Sequence, residues 1–333
     1  MNAKFIYFNS KVVKKMVEFE NKIMFKETEN DVLTVGELLI DMISQDYGEE
    51  FDSDTYNKFF GGSPANIAMN VKKLGINSCV ISAVGNDNLG KFLIKKLKDA
   101  NIDTEYIDMV DYSTSLVLVT KSKATPVPIF YREADYHLNF NSKVSEIVKK
   151  SKIVHFSCWP ISRKSSRETI FKIIDECKKN NIIIGFDPNY HRMIWDKSEN
   201  GIEYVKDIIN KVDIVKPSED DAERIFGSDT PENQVSKFLK LGAKLVVMTL
   251  GKDGAIASNG VETIKFNTLA TDVVDTTGAG DAFWSGFYAA IIKGYNIRKA
   301  LDLGFAVSAY KLKYTGAVTN LPELEEIRKI YNL

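Results

Sequence analysis

The 333-residue sequence is poor in cysteine and histidine, with three of each. Cys79, Cys158 and Cys177 form no CxxC pair, and an odd number of widely spaced thiols reads as reduced, buried cysteine, not as a disulfide framework. His137, His155 and His191 show neither HxxxH nor HExxH spacing, which excludes the usual structural transition-metal centres. No apolar run approaches the ~20 residues that a membrane span needs. The first thirty residues are rich in Lys and Glu and lack a signal-peptide apolar core. The expectation is therefore a cytoplasmic protein without a membrane partner. Charge of one sign is also lacking: 44 basic against 45 acidic residues leave a formal net charge of -1. Such a balance gives no electrostatic footprint for nucleic acid, so an anionic ligand must be held by local groups.

What is present is ordinary globular material, 44% hydrophobic and 27% charged, enough for a substantial core. From residue 31 onward, short β-branched runs at 32–36, 78–84, 153–157, 182–186, 212–215 and 245–250 predict strands. Longer amphipathic stretches at 64–74, 92–100, 167–179, 204–211, 218–226 and 233–241 predict helices between them, and 279–293 and 297–314 predict a helical last third. Strands apolar on both faces and alternating with helices predict an α/β domain, with a mainly parallel central sheet flanked by helices. Residues 46–60 and 113–136 break this rhythm with polar, aromatic and alternating patterns around a turn at 124–128; they predict a small β lid. The expected organisation is an N-terminal extension over 1–30, the α/β body over 31–45, 61–112 and 137–333, and the lid.

The most informative run is Asp275-Thr276-Thr277-Gly278-Ala279-Gly280-Asp281, opening an apolar helix. Unpaired N–H groups and the dipole at a helix start favour an anion, and glycines let a phosphate approach the backbone. Asp281 reads either as a helix cap or as a base placed beside that anion hole; the second arrangement suits phosphoryl transfer to an alcohol. A second run, Phe60-Gly61-Gly62-Ser63-Pro64-Ala65-Asn66-Ile67-Ala68, places tandem glycines before an N-terminal proline and a polar Asn66 on an otherwise apolar helix. Gly85-Asn86-Asp87-Asn88-Leu89-Gly90-Lys91-Phe92 imitates a P-loop, but Phe92 stands where a metal-binding hydroxyl is required, so it reads as a strand-to-helix turn.

Together with Val35-Gly36-Glu37-Leu38-Leu39-Ile40-Asp41, these residues resemble the ribokinase-like, or PfkB, family of carbohydrate kinases over roughly residues 31–325. The resemblance implies an ATP-dependent sugar kinase using Mg2+. It implies Asp281 as catalytic base, Gly278, Ala279 and Gly280 as anion hole, and Asp41, Gly61, Gly62 and Asn66 around the sugar. Glu219 falls at a glutamate that organises Mg2+ through water, and Thr249, Gly251 and Gly254 lie in a nucleotide-phosphate loop. Lys216 stands where Asn is commoner, and it joins the nucleotide-side residues with Asn189. A monovalent cation, K+, is implied near Asp275 and Thr277. Lid strands pair across a homodimer in some relatives.

For the acceptor, the segments around Gly36–Asp41, Lys216–Glu219 and Tyr131–Asp135 lean toward fructokinase. Arg132 is read as a bidentate ligand for an oxygen-rich sugar or as a solvated strand-end cation. His191 stands where sugar-acid kinases carry an arginine for the carboxylate, with Arg192 adjacent as a substitute. Fructose is therefore the expected acceptor. 2-Keto-3-deoxygluconate or a related keto acid is the alternative, and a nucleoside kinase or a non-catalytic sugar-binding protein stands further off.

Overall fold

The computed structural model describes residues 5–7, 18–47, 53–121 and 128–333. A nine-stranded sheet forms the centre. Across it the strands run in the order Thr263–Phe266, Ala255–Ser258, Leu245–Thr249, Ile214–Val215, Ile183–Asp187, Ser151–Ser157, Asn30–Val35, Ser78–Gly85 and Ile107–Val110. Ala255–Ser258 is antiparallel to both of its neighbours, and all other pairings are parallel. The antiparallel pair at the edge is not apparent from residues 255–266, whose short apolar runs are interrupted by Asn and Gly.

The period-two geometry of a strand divides its apolar residues between two cores. Leu33, Val154, Ile184, Val246 and Met248 face a cluster closed by helices Lys164–Asn180, Gly201–Ile209 and Pro231–Leu241. Their neighbours Val32, Ile153, Ile183, Leu245 and Val247 face a second cluster closed by helices Ser63–Lys73, Ala279–Ile292 and Ile297–Lys311. Burial on both faces explains why these strands are continuously apolar. Helix Ala279–Ile292 is buried on every side from Asp281 to Ile291, which explains why its sequence shows no polar stripe.

The order in which strands are added across the sheet reverses at the parallel neighbours Asn30–Val35 and Ser151–Ser157, one leading outward to Ser78–Gly85 and the other to Ile183–Asp187. Open α/β sheets bind ligands at the carboxyl ends of strands beside such a switch point. Glu37, Asp187, Lys216 and Thr249 all lie at or just beyond these strand ends.

A separate four-stranded sheet comprises Tyr56–Gly61, Leu39–Tyr47, Leu116–Lys121 and Ile129–Tyr131, in that order. Its central pair is parallel and its outer pairs are antiparallel. It therefore begins at Leu39, earlier than the compositional break near residue 46. Leu38 and Ile40 are fully buried against Ala65, Val80 and Val84, so this stretch reads like body sequence. Residues 48–52 and 122–127, including most of the expected turn, lie outside the described residues.

Of the N-terminal segment, residues 18–24 dock on the body. Phe19 is 1% exposed. Its carbonyl accepts from the Arg298 N–H, and that of Asn21 from the Ile297 N–H. Phe5–Tyr7 form a short strand parallel to Lys22–Met24, and residues 8–17 of the expected extension lie outside the described residues.

Candidate active site

Asp281 lies in the first turn of helix Ala279–Ile292, after Gly278 in the left-handed conformation at φ 75°. A side chain at Gly278 would meet Ala317 Cα at 2.7 Å, so both conformation and space require glycine. The Ala279 N–H is already taken by the Thr276 carbonyl at 3.1 Å. Ala279, expected in the anion hole with Gly278 and Gly280, thus has its amide paired within the loop. The helix start instead leaves the amides of Gly280 and Asp281 without intrahelical acceptors.

The Asp281 carboxylate is 9% exposed. Ser63 Oγ donates to Oδ1 at 2.6 Å and Asn66 Nδ2 to Oδ2 at 2.9 Å. Burial raises its pKa; these two hydrogen bonds pull it back only in part, and nearby Asp187 adds to the rise. A carboxylate so placed is a better proton acceptor than an exposed one. The hydrogen bonds join the two glycine runs some two hundred residues apart in sequence. Asn66, expected at the site, is brought there; Ser63 was not anticipated, because a serine at a helix start reads as ordinary capping.

Behind the helix start, Lys216 Nζ and Asp187 Oδ2 form a nearly buried ion pair at 3.0 Å, and Trp284 Nε1 donates to the same oxygen at 2.9 Å. A methyl group built on Gly280 would lie 3.3 Å from Lys216 Nζ, which puts the ammonium beside the amides of the helix start. Asp187 ends a strand in an otherwise apolar run, and that position alone does not reveal its tie to Lys216.

A cavity of about 1040 Å³ opens here. Its lining includes Asn189, Lys216, Glu219, Thr249, Gly251 and Gly254, together with Thr276, Ala279 and Gly280. The residues expected on the nucleotide side thus converge from three strand ends. Asp221 links two of the contributing loops, accepting from the Tyr190 and Ser218 N–H groups. Leu269, Phe283 and Phe305 give the cavity an apolar wall that motif reading missed. Glu219 is exposed at the first position of helix Glu219–Phe226. Among the described residues no cluster of three His, Cys, Asp or Glu is arranged to hold a metal ion. Asp275 and Thr277 precede the helix; Asp275 Oδ1 accepts from the Thr277 N–H at 2.8 Å.

On the opposite side of Asp281, Gly62 has φ 115° and leaves no room for a side chain against the Glu37 carbonyl. Gly61 pairs with Leu39 across the small sheet, and a side chain there would collide with the Asp41 carboxylate. Burial raises the Asp41 pKa to about 6. Glu37 is 5% exposed and accepts from the Ser63 N–H. Burial raises its pKa to about 8, with its own and the Ser63 backbone N–H groups pulling the other way.

Arg132 departs from expectation. Nε and Nη2 donate to Asp135, Nη2 also to the Trp159 carbonyl, and Nη1 to Ser162 Oγ and the Ile194 carbonyl. Its guanidinium also sits 4.4 Å from the Trp159 ring centroid. All five N–H donors are used inside the protein, so Arg132 has none left for a sugar. Arg192 likewise donates to the Trp195, Asp196 and Lys197 carbonyls. The P-loop imitation is structural: Asp87 caps the following helix through the Gly90 N–H and accepts from Thr114.

Comparison with known proteins agrees with this geometry. The chain is 64% identical over 318 residues to the ATP-dependent 6-phosphofructokinase of Thermoanaerobacterium thermosaccharolyticum, covering 96% of this chain and 99% of that one. The fructokinase structure of Halothermothrix orenii superposes with a TM-score of 0.75 at 39% identity, over 83% of this chain and 97% of that one. An Escherichia coli protein named ribokinase II, in complex with ATP and Mg2+, gives 0.80 at 26% identity, over 91% and 99%. Such neighbours support ATP and Mg2+ as the family's cofactors. Residues 29–324 match the family model for pfkB family carbohydrate kinases, and the chain belongs to that family: it is an ATP-dependent sugar kinase, a phosphotransferase acting on a sugar hydroxyl.

Proposed function

We propose that the chain phosphorylates the free primary hydroxyl of fructose 6-phosphate. The observation that carries this acceptor is the 64% identity to a 6-phosphofructokinase across nearly the full length of both chains. Fructose itself, the acceptor suggested by the sequence motifs, is the second reading and is favoured by the fructokinase neighbour. A sugar acid is the third reading, with the exposed Arg192 as the cation nearest the position that sugar-acid kinases use for the carboxylate.

In this reading the sugar lies between the small sheet and the body, with Asp41, Gly62 and Asn66 around its hydroxyls. Asp281 takes the proton from the attacking hydroxyl. The oxygen bonds to the γ-phosphorus as the bond to the ADP oxygen breaks. The amides of Gly280 and Asp281 and the Lys216 ammonium face the charge that develops on the transferred group. ATP occupies the large cavity, its base against Leu269, Phe283 and Phe305. Glu219 would hold Mg2+ through water, and the ion would supply positive charge against the ATP phosphates. The small sheet covers the acceptor and limits loss of phosphate to water.

The test is ADP release from MgATP with fructose 6-phosphate, fructose, 2-keto-3-deoxygluconate and adenosine as acceptors. We expect kcat/KM for fructose 6-phosphate to exceed that for fructose by about 100-fold or more, a difference on the scale of a phosphate held by charge-assisted hydrogen bonds. A preference for unphosphorylated fructose would overturn the first reading and establish the second. A preference for the acid or the nucleoside would overturn both.

A further inference from the structure

The resemblance to the wider family implies a K+ ion near Asp275 and Thr277, and the side chains at that place argue against it. All three oxygens of Asp275 are engaged from within the protein. Oδ1 accepts from the Thr277 N–H at 2.8 Å, Oδ2 from the Gly316 N–H at 2.7 Å, and the carbonyl from Lys311 Nζ at 2.7 Å. Lys311 ends helix Ile297–Lys311, and its side chain is wholly buried, at 0% exposure. Among the described residues its ammonium forms no ion pair; its hydrogen-bond partner is a neutral carbonyl. Burying an ammonium so is costly, and an apolar side chain of similar length would pack there more cheaply.

The charge stands directly under the loop that leads into the Asp281 helix start. A second cation among the same oxygens would meet this ammonium at close range, and the single carboxylate charge of Asp275 already acts on Lys311. The residues present do not fit a bound K+.

We propose that Lys311 is a tethered monovalent cation. Its ammonium fixes the 275–281 loop and supplies the positive charge beneath the anion-binding helix start, so the enzyme neither binds nor requires K+. Lys311 thus acts as a positioning residue, through Asp275 and the loop, without touching a substrate. This inference stands whichever sugar is the acceptor.

The decisive experiment compares K+, Na+ and choline at equal ionic strength, using MgATP with the preferred acceptor and, separately, thermal unfolding without an acceptor. For the wild type we expect rates and melting temperatures to agree across the three salts, within about two-fold in rate. Lys311→Ala should lose about 10-fold or more in kcat, and K+ but not choline should restore part of the rate and raise the variant's melting temperature. Saturable K+ activation of the wild type would overturn the proposal, as would thallium anomalous density at the Asp275 carbonyl in a soaked wild-type crystal. Full activity of Lys311→Met without any cation preference would reduce Lys311 to a packing residue. Should neither variant fold, the wild-type salt series and the thallium soak still decide.

Discussion

The nucleotide side and the acceptor side of the cleft are built differently, although Asp281 lies between them. Around the large cavity the contributing groups stand on strand ends and a helix start, and several are glycines or main-chain amides that need no rearrangement to meet a phosphate. On the acceptor side the polar groups are buried carboxyls with raised pKa values, Glu37 to about 8 and Asp41 to about 6. The cation expected there, Arg132, is spent on an internal network with Asp135. Phosphate recognition can rest on backbone geometry that many acceptors share. In the proposed reading, acceptor recognition rests on a few side chains whose charge and reach depend on how the small sheet sits on the body.

Three perturbations would break or sharpen this contrast. The largest effect is expected at the junction itself. Asp281→Asn keeps the shape and the partnership with Ser63, but removes the proton acceptor; kcat should fall about 10²–10⁴-fold while ATP and sugar binding persist. A fall of less than about ten-fold would deny Asp281 the role of base.

Next is Arg132→Ala, which strips the partner from a fully buried Asp135. The expected cost is ~3–5 kcal/mol of stability, read by denaturant unfolding, with little change in the sugar KM of the folded fraction. An unchanged stability with a greatly increased KM would place Arg132 on the substrate after all.

The smallest effect should come from Asp41→Asn, with a rise of roughly ten-fold in sugar KM, equivalent to the loss of one hydrogen bond to a charged group. Because the Asp41 pKa lies near 6, lowering the pH through that value protonates the carboxylate and should weaken sugar binding in the wild type. Measuring both proteins across the range removes the titration of the acceptor and of Asp281 from the comparison. Parallel pH profiles for wild type and variant would remove Asp41 from the sugar site.

The sequence by itself determined most of the sheet-forming runs, the helix that starts at Ala279 and the turn character of the P-loop imitation. Each depends on local rules: period-two burial, capping, glycine at positive φ, and a hydroxyl missing at Phe92. It also pointed to Asp281, because a carboxylate beside glycines at a helix start is a contiguous pattern.

Tertiary structure alone decided which side chains remain available. Ser63 becomes a partner of Asp281 only because helices Ser63–Lys73 and Ala279–Ile292 pack together in one core. Arg132 loses its free donors to Trp159, Ser162 and Ile194, residues that no local pattern connects with it. Lys311 reads in sequence as an ordinary helix-terminal cation, yet it is sealed beneath Asp275. Periodicity records which face of an element is buried; hydrogen-bond saturation and the fate of a buried charge depend on contacts between distant segments, so they exist only once the chain has folded.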